Sequence, residues 1–141
     1  MGLDILELRA LRGPNRYSKR KTMFMLLDIG EFEEQASNEI PGFNDRLIKM
    51  LPSLEEHKCS IGEKGGFIKR LGIGTYMAHI SEHVALELQT LAGMPVGFGK
   101  SFCTDEEGIH AVVFHYIVES VGLEAAEEAV RLVEAAIYDK E

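Results

Sequence analysis

His79, Glu82 and His83 are the residues of this chain whose types and spacing could do chemistry together. They stand in the order His-x-x-Glu-His inside a stretch, Gly74–Gln89, that reads as a helix. A helix turns about 100° per residue, so with His79 at 0° His83 falls at about 40°, one turn further along the same face. Two imidazoles so placed can share one metal ion. Glu82 falls at about −60° and flanks the pair, where its carboxylate can take a proton from water activated at the metal. This is the inverted zinc-hydrolase order, equivalent to His-Glu-x-x-His with the helix direction reversed. Two histidines four residues apart also arise by chance on solvated helices. Met77, Ile80, Val84, Leu88 and Leu91 fall at roughly 100–180°. The histidines therefore lie off the apolar stripe, which argues against satisfied core histidines and leaves a solvated polar face as the alternative.

The elements that must position these residues follow from periodicity. The helix should run from Thr75, as N-cap, to Gly93, with Pro95 beyond as a stop. Residues 3–11 alternate, with Leu6, Leu8 and Ala10 on one face and Glu7 and Arg9 on the other, and read as a strand. Arg12-Gly13-Pro14-Asn15 turns the chain, and the basic cluster Arg16, Lys19, Arg20 and Lys21 follows as a solvated turn or an anion site. Residues 22–29 read as a second, antiparallel strand, and 31–38 as a polar connection. A helix is expected after Pro41, with Phe43, Leu47, Ile48 and Leu51 at helical spacing, ended by Pro52. His57 and Cys59 would share a face if extended, a second soft-ligand pair. Residues 67–71 suit a short helical turn, 96–102 and 109–118 two strands, and Glu119 or Ser120 the start of a last helix. Its apolar stripe is Val121, Ala125, Ala129, Leu132, Val133 and Ala136. Gly99-Lys100-Ser101 lacks the earlier glycine of a phosphate-binding loop, because Met94 stands there, and it follows a helix rather than a strand. The order β-β-α-(α)-β-β-α suits one α+β two-layer domain over residues 1–141, an antiparallel sheet with helices mainly on one face.

At 141 residues the chain can bury a core of its own, and 45% hydrophobic and 27% charged residues are the proportions of a soluble globular domain. A net charge of −8 argues against general nucleic-acid binding. No apolar run approaches the roughly 20 residues of a membrane span, and Met1-Gly2-Leu3-Asp4 does not open a signal peptide. A cytoplasmic setting is expected, with Cys59 and Cys103 as free thiols. A homo-oligomer is compatible with the sequence.

Several stretches form a set: Leu11-Arg12-Gly13-Pro14-Asn15, Ile40-Pro41-Gly42-Phe43, Leu51-Pro52-Ser53-Leu54-x-Glu56-His57-x-Cys59-Ser60, Gly65-Gly66-Phe67, the Gly74–Gln89 helix, and Leu91-Ala92-Gly93-Met94-Pro95-Val96-Gly97-Phe98-Gly99. In this order, over nearly the whole chain, the set resembles the N-terminal domain of cyanophycin synthetases. Those enzymes join aspartate and arginine into cyanophycin, multi-L-arginyl-poly-L-aspartate. Their ATP-grasp and Mur-ligase-like domains, which use ATP and Mg2+, perform the ligation. The chain resembles that N-terminal domain excised or standing alone, so it is not expected to make polymer by itself. The resemblance implies that it holds cyanophycin near the remaining synthetase domains. It also implies, as in some members, a zinc-dependent endopeptidase that cuts the polymer into primers. The alternative is a non-catalytic docking and assembly module with a vestigial His-x-x-Glu-His helix. The element order is also similar to that of pitrilysin-type peptidases, at the level of fold alone.

With zinc as cofactor, the resemblance implies His79 and His83 as ligands and Glu82 as the catalytic base. A third protein ligand is usual at catalytic zinc. Glu119, at the entry to the last helix, is the first candidate, and it is otherwise a first-turn acid complementing the helix dipole. Glu124, His57 and Cys59 stand in reserve. Glu87 and the acids Glu106 and Glu107 could meet the guanidinium groups of the polymer, and Arg12, Arg70 and Lys100 its carboxylates. Any of these charges could equally be ordinary surface.

Overall fold

A computed structural model describes residues 2–58 and 62–138. Its strands are β1 (Asp4–Leu11), β2 (Thr22–Asp28), β3 (Gly99–Cys103) and β4 (Ile109–His115). Its α-helices are α1 (Phe43–Met50), α2 (Gly66–Ile73), α3 (Met77–Leu91) and α4 (Glu119–Tyr138), with short 3-10 turns between β2 and α2. The sheet order is β1-β2-β4-β3, antiparallel throughout, so the two expected hairpins join edge to edge through β2 and β4. Met23, Met25 and Leu27 of β2, with Val112 and Phe114 of β4, are fully buried on the face that meets the helices. This is the period of two in a half-covered sheet. The α+β two-layer expectation is met.

Several details depart from the sequence reading; β3, for one, spans Gly99–Cys103 rather than 96–102, and α3 ends at Leu91 rather than Gly93. The β1–β2 register shifts between Ile5 and Glu7. The extra residue reverses the facing of the strand before it, so Ile5 packs on the core with Leu8 and Ala10 while Leu6 is 50% exposed. Strand β4 ends at His115, three residues short of the expected Val118. Helix α3 begins at Met77, and Thr75 is a buried residue ahead of it rather than its N-cap.

Helix α3 packs against α4, β4 and β3. Small residues on α4, Ala125, Ala126, Ala129 and Ala136, are buried and let the two helices approach. Gly122 of α4 lies where an added Cβ would sit 2.9 Å from Met23 and Tyr116, so the sheet and helix nearly touch there. The result for α3 is burial of most of its length from Met77 to Gln89. Its buried residues include Ser81, Glu82, His83, Glu87 and Gln89 besides the apolar stripe.

Candidate metal centre

The solvated-face alternative for the histidine pair does not hold, because Glu82 is 5% and His83 6% exposed. The Nε2 atoms of His79 and His83 lie 3.1 Å apart. His83 Nε2 is 3.9 Å from Glu82 Oε2. One ligand atom from each of His79, Glu82 and His83 lies within 4.8 Å of the others, a group that could hold a metal ion. Local helix geometry is enough to bring them together, as the spacing predicts.

Neighbouring elements lock each side chain. Phe67 of α2, fully buried, stacks on the His83 ring with centroids 4.2 Å apart and meets His79 edge-on. His79 Nδ1 lies 2.8 Å from Thr75 Oγ1. Thr75 is itself held by Ser37, whose Oγ accepts from Thr75 N–H at 3.1 Å and donates to the Leu71 carbonyl at 2.8 Å. His83 Nδ1 lies 2.9 Å from His57 Nδ1, and His57 Nε2 lies 2.7 Å from Glu87 Oε1. Gly99 opens β3 directly over Glu82, and a Cβ there would fall 2.7 Å from Glu82 Cγ.

Burial also sets the protonation of the group. Desolvation lowers His83 to about 3, with the neighbouring His79 and His57 adding to the effect. Burial and then the Arg70 charge lower His79. Both rings are therefore neutral near pH 7, the form that offers a lone pair to a cation. Desolvation raises Glu82 to about 7, a value suited to passing a proton in either direction. Two neutral imidazole nitrogens suit zinc, and among the described residues the carboxylate grouped with them is Glu82, the expected base, rather than a separate third ligand.

These groups line a cleft of about 910 Å³ between α3, β3 and the chain at 56–58. Arg70 and Lys100 line it as well, so two of the expected substrate contacts face the candidate centre. Arg70 Nε is buried without a hydrogen-bond partner. Arg12 lines a neighbouring cleft of about 620 Å³ with Lys19, Arg20 and Lys21. Val96 and Gly97 border both clefts.

The structure does not bring Glu119 to the histidines. Arg12 Nε and Nη2 donate to its two carboxylate oxygens at 2.8 and 3.1 Å, which lowers the Glu119 carboxyl. It is the first residue of α4, in keeping with the helix-dipole alternative. Glu124 is exposed on α4. His57 is turned so that both ring nitrogens meet other side chains, and Cys59 lies outside the described residues. Glu87, expected to face substrate at the surface, is 5% exposed and bound to His57 instead. Sequence reasoning missed Phe67, Thr75 and Gly99 as neighbours of the site. A glycine inside the strand expected over 96–102 was the one signal for close approach of another group.

The family model described as cyanophycin synthase-like N-terminal domain matches residues 24–138. The cyanophycin synthetase of Geminocystis herdmanii is 51% identical over 96% of this chain and 16% of its own length. That of Crocosphaera subtropica is 52% identical over 92% of this chain and 15% of its own length. The chain thus spans about one-sixth of the relatives it matches.

Proposed function

The chain belongs to the cyanophycin synthase-like N-terminal domain family, and on that premise we propose that it binds cyanophycin and cuts it as a zinc-dependent endopeptidase, producing primers for synthesis. The observation that carries the reading is the buried carboxyl of Glu82, raised to about 7, beside two neutral imidazoles whose Nε2 atoms converge to 3.1 Å at the wall of an open cleft. Ionising a carboxyl that burial has raised costs stability, which favours a working site over a structural remnant.

His79 and His83, whose Nε2 atoms converge, would hold the ion. Zinc, when bound, supplies a Lewis acid that polarises the scissile carbonyl and acidifies water. Glu82 takes the proton of the attacking water and returns it to the departing amine. The walls from Phe67 to β3 keep the carboxylate and the imidazoles in one arrangement, so little reorganisation accompanies the reaction. Arg70 and Lys100, which line the cleft, would meet the carboxylates of the polymer. The neighbouring basic cleft extends the same recognition beyond the Val96–Gly97 border, which makes polymer binding the more general of the two roles.

The test is incubation of the purified chain with soluble cyanophycin, with and without a chelator, while polymer length is followed. Chelator-sensitive shortening is expected. Binding without shortening in the presence of added zinc would reduce the reading to a docking module.

A further inference from the structure

Helix α3 carries a second carboxylate that the proposed reaction does not use. Glu87 is 5% exposed, lies one turn beyond His83, and meets His57 Nε2 at 2.7 Å. His57 comes from a different part of the chain and touches His83 Nδ1 through its other nitrogen at 2.9 Å. Beyond His83 the contacts continue through His79 to Thr75 Oγ1. Five side chains therefore form one line: carboxylate, three imidazoles, hydroxyl.

The two ends of the line differ in chemistry. An ionised carboxylate only accepts, whereas a hydroxyl donates or accepts. Starting from Glu87, the proton positions follow in sequence. His57 must carry its proton on Nε2 to meet Glu87. Where His57 Nδ1 is bare it accepts at the 2.9 Å contact, and His83 then carries its proton on Nδ1. The Nε2 lone pair of His83 is left pointing at His79 and the Glu82 side. At the other end Thr75 accommodates either tautomer of His79.

We propose that Glu87 and His57 are positioning residues that hold His83 as its Nδ1–H tautomer, with Nε2 bare and directed into the centre, ready for a divalent cation. The inference rests on the zinc reading of the site and adds the groups that prepare one ligand for it. The line is directional because its carboxylate end is rigid in its demand and its hydroxyl end is not. Without a metal, His79 supplies the proton between the two Nε2 atoms by taking its Nε2–H form, and Thr75 donates to it. With a metal bound, His79 alone would need to change tautomer, and His83 would keep its form. Partners of this kind behind a metal-ligating histidine fix its ring and raise its basicity.

The experiment has two arms on the full chain. In the first, long-range 1H–15N correlation of the imidazoles reads the tautomers in metal-free protein near neutral pH. His83 is expected as Nδ1–H in the parent chain, with the Nε2–H form gaining population in Glu87→Gln. A parent His83 protonated on Nε2 would overturn the inference, because His57 would then be donating to it. In the second, Zn2+ affinity is measured by competition with a chromophoric chelator for the parent, Glu87→Gln, His57→Phe and the double variant. Each single change is expected to weaken zinc by about 10–100-fold, and the double variant no further than the weaker single, as for groups acting in one line. Zinc affinity within twofold of the parent in both single variants, each folded by circular dichroism, would also overturn it. A parent chain that binds no Zn2+ would instead sink the zinc reading and this inference with it, so the two failures are told apart by the parent alone.

Discussion

Glu82 and His83 are neighbours in sequence and share a wall, yet burial acts on them in opposite directions. Desolvation disfavours the charged form of each, so the carboxyl rises to about 7 and the imidazole falls to about 3. For the metal-free chain the consequences for stability oppose each other. Folded Glu82 holds its proton more tightly than unfolded Glu82, so its contribution is greatest at low pH and is lost as pH rises from about 4.5 towards 7. Folded His83 holds a proton less tightly, so its contribution is present above about 6.5 and is lost as pH falls towards 3. Between about 4.5 and 6.5 the two slopes offset one another. Replacing Glu82 by Gln removes one of them. The Glu82→Gln chain should gain on the parent by up to about 3 kcal/mol between acid and neutral pH, read as a widening gap in unfolding temperature. A gap that stays constant with pH would mean that Glu82 is not raised by burial. The same variant should keep its zinc and cut nothing, and continued cleavage would remove Glu82 as the base.

Helix α3 alone brings His79, Glu82 and His83 together, but the element that shapes the centre is β3. Its first residue, Gly99, leaves room for the Glu82 side chain that any Cβ would occupy. Gly99→Ala should leave the sheet intact, since the backbone of Gly99 needs no positive φ, and should displace the carboxylate. A displacement of about 1 Å at a reacting group costs on the order of 10²-fold in rate. Cleavage should fall by about that factor while zinc affinity and unfolding temperature change little. An unchanged rate would place Glu82 outside the chemistry. Helix α2 acts in a similar way from the opposite side, through Phe67 stacked on His83. The short loop between α2 and α3 is pinned by Ser37, which bonds to both Leu71 and Thr75. The site is thus bounded by α2, α3 and β3, which follow one another in the chain, with Ser37 reaching in from before α1.

Across the molecule, an acidic chain gathers positive charge on one region. Arg12, Lys19, Arg20 and Lys21 border the second cleft, and Arg70 and Lys100 the first. A polymer bearing free carboxylates would cross from one to the other over Val96 and Gly97. The double change Lys19→Glu with Arg20→Glu should weaken cyanophycin binding by roughly tenfold at low salt and by less as salt screens the charges. Zinc affinity should stay as in the parent. Polymer binding unaffected at any ionic strength would confine recognition to the first cleft. The sequence by itself determined what depends on near neighbours: the hairpins from their alternation, the helices from their stripes, and the convergence of His79, Glu82 and His83 from a spacing that one helix turn satisfies. It identified the family through motifs spread along the chain. Only the tertiary structure decided what depends on distant segments meeting. Leu6 turned outward because a bulge is set by pairing with β2. Glu119 went to Arg12 because β1 ends beside the start of α4. Glu87 joined His57 inside the protein because α3 is buried there, and a carboxylate taken out of water must find a donor.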